Sequence, residues 1–411
     1  MFSSKDKEIL RRLASKIKGY SELPIMKERE RQWTSLNDLH SEKPMVLVSP
    51  EGAWVEIHNT ILMECEGEDA RHVERSLRSR IYQHEQLADD TVTDIRYRIG
   101  WHLSNDGFGV EIKHNTPDAD RGAFKHVPPI IDIDEGLKKL KFRKFSVNRE
   151  STLKHFENCK DAFGDILDVG IGGQYFWTTG LTQTAIDLIG LENLMLYMFD
   201  NPDGLKRLMK FLSDEMANFM DQLEQMDLLA YNNGNNGIGS GNWGLTSQLP
   251  SEKKPGKKPI RFKDLWGFCE SQETVGVSPE MFGEFIWPYQ KPLMERFGMT
   301  YYGCCEPVED RFQYIKTVKN LRCISVSPWS NPEKCATVYG KNYVMCSKPN
   351  PGLVCVNFDE TAIRKEIRHI LDSTKGLNLM FILKDTHTIS NQPERFKRWV
   401  EIVRAEIGKK S

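Results

Sequence analysis

The chain has 411 residues, 56 basic and 58 acidic, for a net charge of −2; that is enough length for one large domain with a substantial core, or for two. No basic block or stripe points to nucleic acid, since Lys253-Lys254-Pro-Gly-Lys257-Lys258 reads as a solvated loop, and no apolar run approaches the ~20 residues of a membrane span. Nine cysteines, an odd number with no CxxC, and an N-terminus without a signal-peptide core predict reduced thiols in the cytoplasm.

Residues 1–90 are highly charged and mostly helical in pattern, as at 5–18 and 70–87. One apolar segment, Met45–Val48, ends in the turn signal Ser49-Pro50-Glu51-Gly52. This part is expected to be a helical extension packed on the main domain, which then runs from 91 to 411. From residue 91, strand-like and helix-like segments alternate. Residues 95–101 and 109–112 read as strands, and 165–170 is a short apolar run ending in Gly170-Ile-Gly172-Gly173. Residues 182–199 read as helix. Residues 202–226 form the clearest amphipathic helix, with Leu205, Leu208, Leu212, Met216, Phe219 and Leu223 on one face. A strand at 227–231 leads into the glycine- and asparagine-rich stretch 232–259, whose length suits a functional lid or a disordered segment. Strands then follow at 265–269, 299–302, 321–326, 343–346 and 377–383, each with a helix behind it, at 278–297, 307–318, 332–339, 359–373 and 393–407. About eight strand-helix units imply a parallel sheet, and a (β/α)8 TIM barrel fits the span. An open doubly wound sheet is the alternative, but no GxGxxG follows the first strand.

In a barrel, the residues just after each strand share one face. Here they carry chemistry: Cys269-Glu270-Ser-Gln272-Glu273, Gly303-Cys304-Cys305-Glu306, Cys346-Ser-Lys348-Pro-Asn350 and Lys384-Asp385-Thr-His387-Thr388. Adjacent cysteines cannot easily pair with each other, and soft sulfur beside a carboxylate suits a zinc-type ion. The metal candidates are therefore Cys304, His387, Glu270 and Glu306, with Cys305 in reserve. Asp385, His387 and Glu273 are the acid/base candidates. Gln174, Asn235, Trp243, Gln272 and Asn350 are candidates for a substrate-binding ring. Each has a plainer alternative. A vicinal cysteine is often a small buried hydrophobe, His387 could be packed and hydrogen-bonded to Asp385, and the amides could serve only their loops. Cys269, Cys323 and Cys346 read as core.

Several segments together are similar to the uroporphyrinogen decarboxylase superfamily over about residues 91–405. They are Ser278-Pro-Glu-Met-Phe-Gly-Glu-Phe-Ile-Trp-Pro-Tyr289, Tyr301-Tyr-Gly-Cys-Cys-Glu-Pro307, Lys348-Pro-Asn-Pro351, and Lys384-Asp-Thr-His-Thr388 with Pro393-Glu-Arg-Phe-Lys-Arg-Trp399. The resemblance implies a (β/α)8 barrel and one of two activities: cofactor-free decarboxylation of uroporphyrinogen, or zinc-dependent methyl transfer with corrinoid proteins. The decarboxylase's arginine-rich signature is missing, and the first barrel strand reads Ile95-Arg-Tyr-Arg-Ile-Gly-Trp101. The methyltransferase branch is therefore preferred. Its zinc motif, His-x-Cys after the sixth strand and Cys after the eighth, aligns with Tyr302-Gly-Cys304 and with Asp385-Thr-His387. The implied enzyme moves a methyl group between a small methyl ether, amine or thiol and a corrinoid protein. No Asp-x-His-x-x-Gly segment occurs, so the corrinoid is expected on a partner docking at the barrel mouth. The alternatives are a cofactor-free lyase using Asp385, His387 or Glu273, and a non-catalytic tetrapyrrole- or corrinoid-binding protein. The methyl donor and acceptor stay open, as does oligomeric state, with a homodimer among the options.

Overall fold

The computed structural model describes residues 1–115, 125–172, 178–250 and 259–409. Ten of its strands position the site: β1 (Met45–Val48), β2 (Arg96–Ile99), β3 (Asp168–Ile171), β4 (Gly237–Ile238), β5 (Asn242–Trp243), β6 (Trp266–Cys269), β7 (Met299–Tyr302), β8 (Leu321–Val326), β9 (Val344–Ser347) and β10 (Asn378–Leu383). Six of them form one parallel sheet in the order β1-β10-β9-β8-β7-β6. β2 and β3 form a separate parallel pair, and β4 and β5 an antiparallel hairpin. This is an α/β fold; among the described residues no ladder joins the β2–β3 pair to the sheet, so the hydrogen-bonded sheet stays open.

The sheet is buried on both faces, as parallel sheets covered by helices are. Side chains alternate along each strand. Met45, Leu47, Trp266, Phe268, Met299, Tyr301, Cys323, Val344, Cys346, Met380 and Ile382 pack into one cluster. Val46, Val48, Cys269, Tyr302, Ile324, Met345, Leu379 and Phe381 pack with helix residues in another. The first cluster is the interior. Into it project Ile238 of the hairpin and Met26, Trp33 and Leu36 of the helix Pro24–Asn37. A third cluster lays the helices Ser4–Ser21, Glu68–Tyr82 and Arg149–Phe163 over Tyr97 and Ile99 of β2. Among the described residues no helix is long and apolar enough to cross a membrane.

The structure revises several sequence expectations. β1 lies within the segment read as a helical extension, yet it pairs with the last strand from Met45↔Met380 to Val48↔Leu383. A boundary at residue 90 would remove this strand from its sheet, and the sheet's first strand is β1, not 95–101. Four consecutive apolar residues carry no period, so their pairing was not readable locally. Residues 109–112 and 227–231 form no strand, although Leu228 and Leu229 are buried. The helix expected over 278–297 is two, Pro279–Phe285 and Trp287–Met294, because Pro288 has no N–H to continue the first. Cys269, Cys323 and Cys346 are fully buried, as core residues should be.

Candidate active site at the strand ends

Period two carries the inward-facing rows past the ends of their strands. After Val344 and Cys346 comes Lys348; after Met380 and Ile382, Lys384; after Trp266 and Phe268, Glu270. All three are buried, at 2%, 8% and 1% exposure. β7 departs from this rule. After Tyr301 the chain reaches Gly303, whose φ of +94° is left-handed and whose added Cβ would stand 2.8 Å from Val308 and 3.0 Å from Ser325. Only glycine fits there. The turn it permits brings Cys304 into the interior cluster, 3% exposed.

Cys304 Sγ lies 3.0 Å from Ser240 Oγ, at the tip of the β4–β5 hairpin, 3.5 Å from Cys305 Sγ and 3.8 Å from Lys384 Nζ. Lys348 Nζ donates to Ser240 Oγ at 2.7 Å and to the Cys304 carbonyl at 2.6 Å. Lys384 Nζ reaches Ser240 Oγ at 3.2 Å, Glu51 at 3.4 Å and Asp385 at 3.5 Å. The hydrogen bond from Cys305, followed by the charges of Lys348 and Lys384, outweighs burial and pulls the Cys304 thiol down to about 5. Cys305, beside that thiolate and 3.6 Å from Asp385, is pushed up. Burial lowers Lys348. Burial also works against charge on Lys384, but the Cys304 thiolate, Glu51 and Asp385 hold it above its ordinary value. At neutral pH the arrangement is one buried thiolate between two lysines.

An acid group adjoins it. Glu306 accepts the backbone N–H of Ser271 at 2.9 Å and of Cys304 at 2.8 Å, so it braces the turn from inside, and burial raises its carboxyl. Glu270 is pushed up to about 9 by burial, then by Glu273 and Glu306; it is a neutral carboxylic acid at pH 7. Glu273 accepts from Thr182 Oγ1 at 2.6 Å.

The structure thus brings together Cys304, Cys305, Glu270, Glu273, Glu306 and Asp385; of the expected zinc ligands, His387 is the one that stands apart from this group. Asp385 has a left-handed φ of +56°. The chain turns there, and His387 is exposed. Among the described residues no three His, Cys, Asp or Glu side chains converge to hold a metal, and lysine ammoniums stand beside the Cys304 sulfur. Zinc in such sites takes four-coordinate N, S or O donors at 2.0–2.3 Å, so this donor set does not fit it and no step is derived through zinc. Of the substrate candidates, Asn350 is exposed and caps its own loop, its Oδ1 accepting from the Gly352 N–H at 2.9 Å. Gln272 is half-buried, and its N–H bonds to Glu270. Asn235 and Trp243 line a cavity of about 530 Å³ beside the hairpin. Gln174 lies outside the described residues. Sequence reasoning missed Lys348, Lys384 and Ser240. The lysines were findable by continuing each strand's inward row for one more step. Ser240 was not, since nothing local says that a glycine-rich loop folds back into the sheet.

Fold and site together define an α/β protein whose reactive side chains gather at the carboxyl ends of a parallel sheet. Among solved structures, the chain is similar to a methyltransferase from Methanosarcina mazei, with a TM-score of 0.50 and 14% identity over 92% of this chain and 98% of that one. At that identity the likeness is one of fold. No family model and no curated protein matches the chain.

Proposed function

We propose that this protein is a methyltransferase on a (β/α)8-type barrel, and that Cys304 is the sulfur that takes the methyl group. The observation that carries the reading is the buried Cys304 thiolate, held by Ser240, Lys348 and Lys384 where β7, β9 and β10 end. A thiolate is the nucleophilic form of cysteine, and sulfur attacks an sp³ methyl carbon directly. The S–C bond forms as the bond from carbon to the leaving group breaks, and the leaving group keeps the electron pair. Glu270, neutral at pH 7, is the acid in this cluster that can supply a proton to an oxygen or nitrogen leaving group. Lys348 and Lys384 hold the sulfur ionised before attack.

Ser240 rests on Cys304, so a methyl donor reaches the sulfur only when the hairpin tip lifts. A corrinoid protein docking at the strand-end face is the partner we propose for the next step: a reduced corrinoid would take the methyl carbon as the S–C bond breaks, and the electron pair would stay on Cys304 as thiolate. The fold shared with the Methanosarcina mazei methyltransferase supports the reading. The neutral acid Glu270 also suits a cofactor-free lyase, and one experiment separates the two. The protein is incubated with methyl ethers, methylamines and a methylated corrinoid protein, and peptides spanning Cys304 are then weighed. Methyl transfer predicts one added methyl on Cys304 and its loss in Cys304→Ser. Turnover of any of these donors by Cys304→Ser at the wild-type rate would sink the assignment.

A further inference from the structure

Two adjoining cavities, of about 530 and 420 Å³, share Asp94, Arg96, Arg98, Asn235 and Gly237. Neither is lined by Cys304, Lys348 or Lys384, although the hairpin whose Ser240 touches Cys304 supplies Gly237, Gly241 and Trp243 to the wall of the larger one. We propose that this space binds an anionic small molecule, a carboxylate or phosphate ester on an apolar body, through Arg96, Arg98 and the Trp243 indole N–H.

Charge is the first argument. Three guanidiniums line the larger cavity, and among the described residues Asp94 is its only acid. Arg96 pairs with Asp94 at 2.6 Å. Arg98 pairs at 2.5 Å with Asp168, which lies outside both linings with more than half of its side chain exposed. Arg80 spends its donors on the carbonyls of Arg96 and Asp94, at 3.0 and 2.5 Å, and reaches the Asp94 carboxylate only at 3.5 Å. Positive charge exceeds negative on these walls, and planar guanidiniums suit carboxylate and phosphate oxygens.

The second argument is independent. Trp243 Nε1 and Asn235 Oδ1 are both buried with no hydrogen-bond partner, and buried polar atoms in folded proteins are normally paired. The indole N–H can only donate, so it calls for an acceptor. Asn235 Nδ2 donates to the Val92 carbonyl at 2.5 Å; this fixes the amide and leaves Oδ1 to receive a hydroxyl or N–H. The rest of the larger wall includes Leu47, Pro50, Trp54, Tyr97 and Ile382, an apolar surface for the body of the ligand. The volume falls within the usual range for small-molecule sites. Binding stands on this geometry alone; only the view that the ligand is a substrate rests on the proposed methyl transfer.

The test is calorimetric titration of the full chain with benzoate, phenyl phosphate and uncharged benzamide. At least one anion should bind about tenfold more tightly than benzamide, since each charge-assisted hydrogen bond is worth roughly a factor of ten. The tighter of the two names the acid. Arg98→Gln should weaken that anion about tenfold. Trp243→Phe, which keeps the ring face and removes only the N–H, should weaken it roughly threefold to tenfold; it carries the test if loss of the Arg98–Asp168 pair prevents folding. Benzamide binding as tightly as both anions, or anion affinity unchanged in Trp243→Phe, would overturn the proposal. Because the readout is binding, a failed S-methylation experiment leaves this result standing, and the reverse also holds.

Discussion

Replacing Lys348 by methionine isolates the charge that this structure places beside Cys304. Lys348 is fully enclosed and donates to the Cys304 carbonyl and to Ser240 Oγ, the hydroxyl that in turn bonds the sulfur. Methionine keeps most of the volume and removes the ammonium. In the wild type the thiol is pulled down to about 5. The sign follows directly: thiolate appears as pH rises through that midpoint and is complete by pH 7, so nucleophilicity is flat across neutral pH. An opposite charge within a few ångströms moves a midpoint by about 1 to 3 in pH, and Lys384 remains in the variant. Lys348→Met should therefore raise the Cys304 midpoint by about that much, and methyl acceptance should become pH-dependent between pH 6 and 8, rising with pH (an estimate on the same basis, roughly 5 plus 1 to 3). Thiolate ultraviolet absorbance reads the midpoint, taken as the difference from Cys304→Ser so that the other cysteines cancel. A wild-type midpoint in the ordinary thiol range, or one that Lys348→Met leaves in place, would refute the reasoning.

Ser240→Ala removes the hydroxyl that donates to the sulfur, and should raise the same midpoint by about 1 in pH, since a hydrogen bond to a charged group is worth roughly 1.5 kcal/mol or more. Gly303→Ala places a side chain at φ +94° against Val308 and Ser325; thermal unfolding should show a loss of about 1–3 kcal/mol, and an unchanged Tm would mean that the turn is not held as described. Glu270→Gln replaces an acid that is neutral at pH 7, so stability at pH 7 should change by less than about 1 kcal/mol while proton delivery to an amine or ether donor is lost, as single-turnover kinetics would show. A chain beginning at residue 91 lacks β1 and leaves the edge of β10 open; it should be insoluble or unfolded by circular dichroism, and a folded, soluble product would show that the sheet does not need its first strand.

The alternation of apolar strands and capped helices was legible because each is local. Ser278 caps its helix, accepting from the Met281 N–H, and Leu321–Val326 and Met299–Tyr302 stand where their apolar runs are. The cluster at 303–306 was legible because glycine, thiols and an acid directly after a strand are informative together. What escaped depended on distant partners. Met45–Val48 became a sheet strand through β10, a partner distant in sequence. His387 turned outward because Asp385 takes a left-handed conformation, which sequence does not announce. Lys348 and Lys384 stand in strand-end segments that the sequence marks, but their burial follows only when the strand period is carried on to them, and it makes sense only beside the sulfur.

The pairing of β1 with β10 has a consequence for biosynthesis. Residues 45–48 leave the ribosome about 335 residues (380 less 45) before their ladder partner, Met380–Leu383. At ~5–20 residues per second, four exposed apolar residues wait roughly 20–70 seconds for it. During that interval the nascent protein presents an unsatisfied strand edge to its surroundings. Chaperone engagement should therefore concentrate in this window, and stop codons shortly before residue 378 should yield chains that aggregate rather than fold into a smaller but otherwise sound molecule.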